Sequence, residues 1–316
     1  MTRTSLFLLV GLILLACGGA AGNPAPAASQ APVSLKVGLI PIVDVAPIYL
    51  GNQQGFFKEQ NLTLDLQLAQ GGAAIVPAVV NGEYQFGFSN LVSEILAVSK
   101  GLKIQVVSQG VQATDNKDKD SWAILALNSA ITSCKSLEGK TIAVNTLKNI
   151  GEISIKAACE KEGANVSTFK LIEMNFPDML PAMQGGRVDA MWTAEPFTTQ
   201  AKQAGAHVIS YNMVATAPHM TVATYFSSSD YISKNKDVVT RFVKAVDKSL
   251  DYANAHPDAV RQIVGTYAKI PPAALNDMVL PYWSHDLNKP SIDKVAELMA
   301  KYGIVSSKPD LSHFYA

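Results

Sequence analysis

Two stretches of this chain, 104 residues apart, carry one pattern twice. The run from Pro77-Ala78 to Ser89 aligns without a gap with the run from Pro181-Ala182 to Thr193. Each copy reads as a short helical run, a glycine stop at Gly82 or Gly186, an apolar strand, and a hydroxyl at the strand's end. The flanks agree. Apolar strand signals at Val37 to Ile40 and Thr141 to Val144 lie at matching distances upstream. Each is followed by a loop, a helical stretch, a glycine (Gly55, Gly163) and a second apolar run (Leu62 to Leu68, Phe169 to Met174). Strand-helix-strand units look alike in any parallel α/β protein. The matched order of elements goes further, and predicts an α/β fold of two similar lobes with a ligand cleft between them.

Lobe 1 is expected over residues 35–122 and 222–316, and lobe 2 over residues 123–221. The strands Trp122 to Leu127 and Thr221 to Ser227 are read as the two crossings between lobes. Ser89-Asn90 makes a good N-cap pair for a helix starting at Leu91. Lys236 to Ala255 reads as an amphipathic helix, with Val239, Phe242, Val243, Val246 and Leu250 on one face.

The N-terminus bears on the compartment. Arg3 and the apolar run Leu6 to Leu15, too short for a mature membrane anchor, read as a signal sequence over residues 1–17. It runs into Leu14-Leu15-Ala16-Cys17-Gly18, a lipobox, in which the Cys17 thiol takes a diacylglycerol. Residues 18–34 have no large apolar side chain before Val33 and read as a flexible tether. The expected location is the cell membrane, lipid-anchored on the extracytoplasmic side. With 26 basic and 26 acidic residues, there is no electrostatic basis for binding nucleic acid. Cys134 and Cys159 form either a disulfide or two buried thiols.

No catalytic constellation emerges. The histidines (His207, His219, His256, His285, His313) are scattered, and neither His-Glu-x-x-His nor Cys-x-x-Cys occurs. There is no Gly-x-Ser-x-Gly elbow and no phosphate-cradling glycine loop. No enzymatic activity, cofactor or metal is expected. Hydrogen-bonding residues instead gather where apolar strands end: Asp44, Ser89-Asn90, Asn145-Thr146, and Thr193-Ala194-Glu195. In open α/β sheets, ligands sit beyond the carboxyl ends of strands. Singly, each residue fits a cap or turn; as a set at equivalent places of two repeats, they are expected to converge on one cleft.

Several motifs resemble a known group. They are Ala46-Pro47-Ile48-Tyr49, Gly55-Phe56-Phe57-Lys58-Glu59, Asn81-Gly82-Glu83-Tyr84, Ile142 to Leu147, Phe176-Pro177-Asp178-Met179, Gly186 to Ala190 and Glu195-Pro196-Phe197. The chain resembles the substrate-binding proteins of ABC importers that serve nitrate, taurine, alkanesulfonates, thiamine pyrimidine precursors and riboflavin. The resemblance implies a periplasmic-binding-protein type II fold, with two Rossmann-like lobes joined by two crossing strands and closing by hinge motion. It implies an ABC permease and its ATPase subunit as partners. Thiamine-pyrimidine synthases share this fold, which keeps an enzyme as a remote alternative, with His219 as the candidate base.

Charge bears on the ligand. An oxyanion needs cations or many neutral donors to replace its hydration. The cleft loops offer Asp44, Glu195 and Asp178 against Lys148 alone, and Arg187 belongs to a turn expected to point away. A buried carboxylate facing an anion is costly unless a cation intervenes. Trp192 and Tyr225, with Tyr49 behind the first loop, suit stacking on a ring. The expected ligand is therefore a vitamin-like heteroaromatic, riboflavin or a thiamine pyrimidine precursor, with an alkanesulfonate, taurine or nitrate as the alternative. Its expected contacts are Asp44, Ser89, Asn90, Asn145, Thr146, Asp178, Trp192, Glu195 and Tyr225, in a monomer.

Overall fold

The computed structural model describes residues 31–316. The signal sequence, Cys17 and most of the tether lie outside the described residues. Val33 and Ser34, expected in the tether, instead open β1 (Val33–Leu39), because β1 pairs in parallel along its whole length with β2 (Leu62–Leu68). Between them lie α1 (Ala46–Gln53) and α2 (Phe56–Glu59). The first lobe continues through α3 (Gly72–Val80), β3 (Phe86–Asn90), α4 (Leu91–Ser99) and β4 (Ile104–Gln112). The second lobe holds β5 (Trp122–Ala126), β6 (Thr141–Val144), α5 (Ile150–Lys161), β7 (Lys170–Glu173) and α6 (Phe176–Gln184). It ends with β8 (Ala190–Ala194), α7 (Phe197–Gln203), β9 (His207–Ser210) and α8 (Asn212–Thr216). The chain then returns through β10 (Thr221–Ser228), α9 (Ser229–Lys234), α10 (Lys236–Ala255), α11 (Pro257–Val264), α12 (Pro272–Asp277) and α13 (Lys289–Lys301).

The two sheets share one plan. Their orders are β2-β1-β3-β10-β4 and β7-β6-β8-β5-β9, with the fourth strand antiparallel to both neighbours in each. β5 and β10, expected to cross between lobes, do not bridge the sheets. Each is the first strand after a crossing and lies wholly in one sheet, where its edge hydrogen bonds are met on both sides. The crossings are the connections on either side. They run together: Ala113 N–H donates to Met220 O (2.9 Å) and His219 N–H to Thr114 O (3.3 Å). Asp120 ties this junction, accepting from the backbone N–H groups of Thr114, Ser121 and Val214.

The sequence repeat is a repeat of backbone bonds. Ala69 N–H donates to Leu39 O, and Met174 N–H to Val144 O. Gln85 N–H donates to Lys36 O, and Asp189 N–H to Thr141 O. Gly82 (φ 78°) and Gly186 (φ 69°) both turn through the left-handed region that favours glycine. In the first lobe's core, Phe86 stacks on Phe242 of α10 at 3.8 Å, as the amphipathic face requires. In the second, Cys134 and Cys159 are joined by a disulfide that ties the turn before β6 to α5.

Candidate ligand-binding cleft

The lobes meet along the carboxyl ends of their parallel strands. Gln70 Nε2 donates to Asn145 O (2.8 Å) and Asn145 Nδ2 to Gln70 O (3.3 Å), a reciprocal pair across the cleft. Ile150 N–H donates to Asn90 Oδ1 (3.3 Å), and Val43 N–H to Glu195 O (2.9 Å). These contacts enclose a cavity of ≈ 20 Å³, room for about one water. Its walls are aromatic and aliphatic (Ile40, Ile42, Phe88, Trp122, Phe176, Trp192), and its polar side chains are Asp44, Asn90, Asn145 and Asn149. No Lys, Arg or His lines it among the described residues.

Asp44 sits in the turn between β1 and α1. That turn is clamped from the C-terminal region, where Trp283 Nε1 donates to Asp44 O and the Tyr267 hydroxyl to Ile42 O. The carboxyl is 2% exposed, and its Oδ1 has no hydrogen-bond partner. Burial pushes it well above the usual carboxylate range, against its own backbone hydrogen bond; nearby Asp120 adds to the rise. A donor placed at Oδ1 would reverse much of that cost.

The amides are set by helix starts. Asn90 ends β3 and caps α4, accepting from Ser93 N–H (3.1 Å). Asn149 caps α5 through Glu152 N–H (3.2 Å) and donates to Asn145 Oδ1 (2.6 Å) and Thr146 Oγ1 (2.9 Å). Trp192 Nε1 donates to Asn212 Oδ1 (3.1 Å), which fixes the ring beside Phe176.

Four of the nine expected contacts, Asp44, Asn90, Asn145 and Trp192, therefore line one cavity. The other five do not. Ser89 is fully buried and bonds Asn90 O, while Thr146 serves Asn149. Asp178 lies farther out, at the cleft's mouth. Glu195 is a lobe-joining support, its carboxylate accepting from Thr199 N–H, Thr199 Oγ1 and Val279 N–H. Burial lifts that carboxyl to about 7 despite those donors. Tyr225 packs in the first lobe's core against Phe88 and Phe242. The reason is strand direction: β10 is antiparallel, so it presents its beginning, Val222-Ala223, to the cleft.

The same reasoning explains a residue that strand-end patterns overlook. Trp122 begins β5, the antiparallel strand of the second sheet, and lines the cavity. Asn149 carried a readable signal, since Asn149 with Glu152 three residues on has the spacing of a capping box. His219 lies at the crossing, partly exposed near Asp115 and Tyr282, and is not among the cavity-lining residues. Tyr49 stacks on Tyr267 at 4.2 Å behind the Asp44 turn.

A family described as NMT1/THI5-like matches residues 42–260, which include the Asp44 turn, both repeats and the whole second lobe. The chain belongs to the NMT1/THI5-like family. The taurine-binding periplasmic protein of Escherichia coli (strain K12) is 28% identical over 204 residues, 64% of this chain and 61% of that protein. The 4-amino-5-hydroxymethyl-2-methylpyrimidine phosphate synthase of Candida albicans (strain WO-1) is 22% identical over 246 residues, 73% of this chain and 69% of that enzyme. The alkanesulfonate-binding protein of Xanthomonas axonopodis pv. citri, solved with MOPS, superposes with a TM-score of 0.75 at 15% identity. That match covers 89% of this chain and 97% of that one. The fold is thus the two-lobed periplasmic-binding-protein type.

Proposed function

We propose that this protein is the extracytoplasmic solute-binding component of an ABC importer, anchored through lipid on Cys17, and that it captures a small amino-substituted nitrogen heterocycle. The observation that carries the ligand reading is the Asp44 carboxyl. It is buried, one oxygen lacks a partner, and it lines a cavity bearing no cation among the described residues. A ring N–H or amino group supplies the missing donor, and the flat aromatic walls of Trp192, Phe88 and Phe176 accept the ring's faces. Asn90, Asn145 and Asn149 can both donate and accept, which suits a ring carrying donors and acceptors on one edge. The closed cavity holds about one water, so either a thiamine pyrimidine precursor or riboflavin requires the lobes to part, and the single ring requires the smaller opening; binding therefore shifts an open–closed equilibrium. Among the described residues the cavity is lined by no lysine, histidine or cysteine, which fits capture and release better than turnover. The permease and its ATPase are the implied partners of a monomer.

Taurine is the second reading. It is what the Escherichia coli relative's name says that protein binds, and its ammonium would satisfy Asp44. Its sulfonate would then rely on three amides with no cation, a weak set for an anion.

Thermal-shift and calorimetric titration with an aminopyrimidine, riboflavin, taurine, an alkanesulfonate and nitrate tests the reading. The aminopyrimidine is expected to raise the melting temperature and to bind stoichiometrically without being consumed. Stabilisation by the anions alone would overturn it.

A further inference from the structure

Phe176 stands between two chambers of unequal size. Inside lies the ≈ 20 Å³ cavity at Asp44; outside, at the cleft's mouth, lies an opening of ≈ 320 Å³ that the same ring also lines. Leu68 and Gln70, at the end of β2, wall the outer chamber from the first lobe. Asn175, Pro177 and Asp178, at the start of α6, wall it from the second. Both chambers therefore lie beyond the carboxyl ends of parallel strands, where α/β sheets bind ligands. Of the two chambers that Phe176 lines, the outer one holds nearly all the room. A ring held at Asp44 that carries a substituent has this direction in which to extend it.

Among the described residues, Asp178 is the one ionisable side chain that lines the outer chamber. A helix start ordinarily attracts anions through free N–H groups and its dipole. Here Pro177 has no N–H, and Asp178 N–H already donates to Asn175 O (3.0 Å). The Asp178 carboxylate itself occupies the first turn, where it also accepts from Asn175 Nδ2 (3.3 Å). The helix start is thus supplied with its own anion and has little left for a second.

We propose that the outer chamber is a subsite for the substituent of the bound heterocycle. Through Asp178 it accepts an amine or hydroxyl group and rejects a phosphate ester. This rests on the ring-binding reading above and deepens it: the captured solute is the unphosphorylated form. A phosphate monoester would bring nearly two negative charges beside a carboxylate with no lining cation to offset them. Asp178 is exposed, so solvent and salt soften the repulsion without abolishing it.

Calorimetric titration of the full chain with three 4-aminopyrimidines, bearing 5-aminomethyl, 5-hydroxymethyl or 5-phosphooxymethyl groups, tests this at low and moderate salt. The first two are expected to bind, with the aminomethyl compound at least as tight, and the phosphate ester to be weaker by ~10-fold at low salt. In Asp178→Asn and Asp178→Ser the phosphate gap should narrow severalfold, and the aminomethyl compound should lose a few fold in affinity with the carboxylate that accepted it. A phosphate ester that binds wild type as tightly as the hydroxymethyl compound overturns the subsite and leaves the ring reading standing. A gap unchanged in both variants also overturns the subsite. Failure of all three compounds to bind removes the ring reading and the subsite together.

Discussion

In the first lobe, β3 ends in Asn90, whose amide caps α4 and reaches Ile150 across the cleft. The residue 104 positions on, at the end of β8, is Ala194, which lines the same cavity with a methyl group. The first strands show the reverse. Ile40 follows β1, and its counterpart 105 positions on is Asn145, which pairs with Gln70. Phe88 is matched by Trp192, and Asp44 by Asn149, in each case with both members lining the cavity. The duplication therefore fixes where the wall residues stand. Each lobe supplies an amide where the other is apolar, and among the described residues the carboxylate, Asp44, comes from the first. One asymmetric site results, suited to a ligand with a donor edge at one end.

Asp44 should accordingly dominate its counterpart. Asp44→Asn is expected to weaken aminopyrimidine binding by ~100-fold, about 3 kcal/mol, the range for hydrogen bonds to charged groups. The unliganded protein should melt no lower, because the change removes a buried carboxyl whose Oδ1 has no partner. Asn149→Ala should cost ~10-fold, part of it through the lost cap of α5, worth ~1 kcal/mol. Calorimetry on both variants decides, and equal losses would mean that the two loops are interchangeable.

The second difference is one residue farther along. In the first lobe β3 passes directly into α4 at Leu91, whereas the second lobe places Glu195 and a cis Pro196 before α7. Burial raises the Glu195 carboxyl to about 7 from an ordinary 4.5, and Asp120 at the crossing to about 6. The folded protein therefore holds protons that the unfolded chain has released, between about pH 4.5 and 7. Stability from Glu195 should fall as pH rises through that window and level off above it. Glu195→Gln is expected to flatten the slope by an amount on the order of 2 kcal/mol, read from denaturant midpoints at pH 5 and pH 7.5. A slope identical to wild type would remove Glu195 as its source.

Much of this was legible in the sequence, for identifiable reasons. The repeat of proline, glycine and apolar strand gives two lobes because those residues fix local backbone geometry, and local geometry needs no tertiary context. Asp44, Asn90 and Asn145 were readable because they follow parallel strands, whose carboxyl ends face the cleft. Tyr225 and Trp122 were not, since nothing local tells that β10 and β5 run antiparallel and so present their first residues. Glu195 has the polarity of a ligand contact and the surroundings of a support. Its partner Val279 is 84 residues away, beyond the reach of any local pattern.

The helix starts hold the last contrast. Gly71-Gly72 at the start of α3 occupies the place of Asn175-Phe176 at the start of α6. The first lobe thus presents bare backbone where the second presents a ring. A Cβ at Gly71 would stand 3.0 Å from Thr146 Cγ2 and 3.1 Å from Asn145 Nδ2, both on the opposite lobe. The Gly71 backbone is extended, so any residue can adopt it, and only the approach of the second lobe opposes a side chain there. Gly71→Ala is therefore expected to leave unfolding stability within ~0.5 kcal/mol and to weaken ligand binding by ~3- to 10-fold, with Gly71→Val worse. Asn175→Ala, at the matched place, should change affinity less than about twofold, because its amide reaches only Asp178 at the rim. Small-angle scattering at saturating ligand supplies the second readout, with a larger radius of gyration expected for Gly71→Val. Unchanged affinity and radius in that variant would mean that the lobes bind ligand without meeting at Gln70 and Asn145.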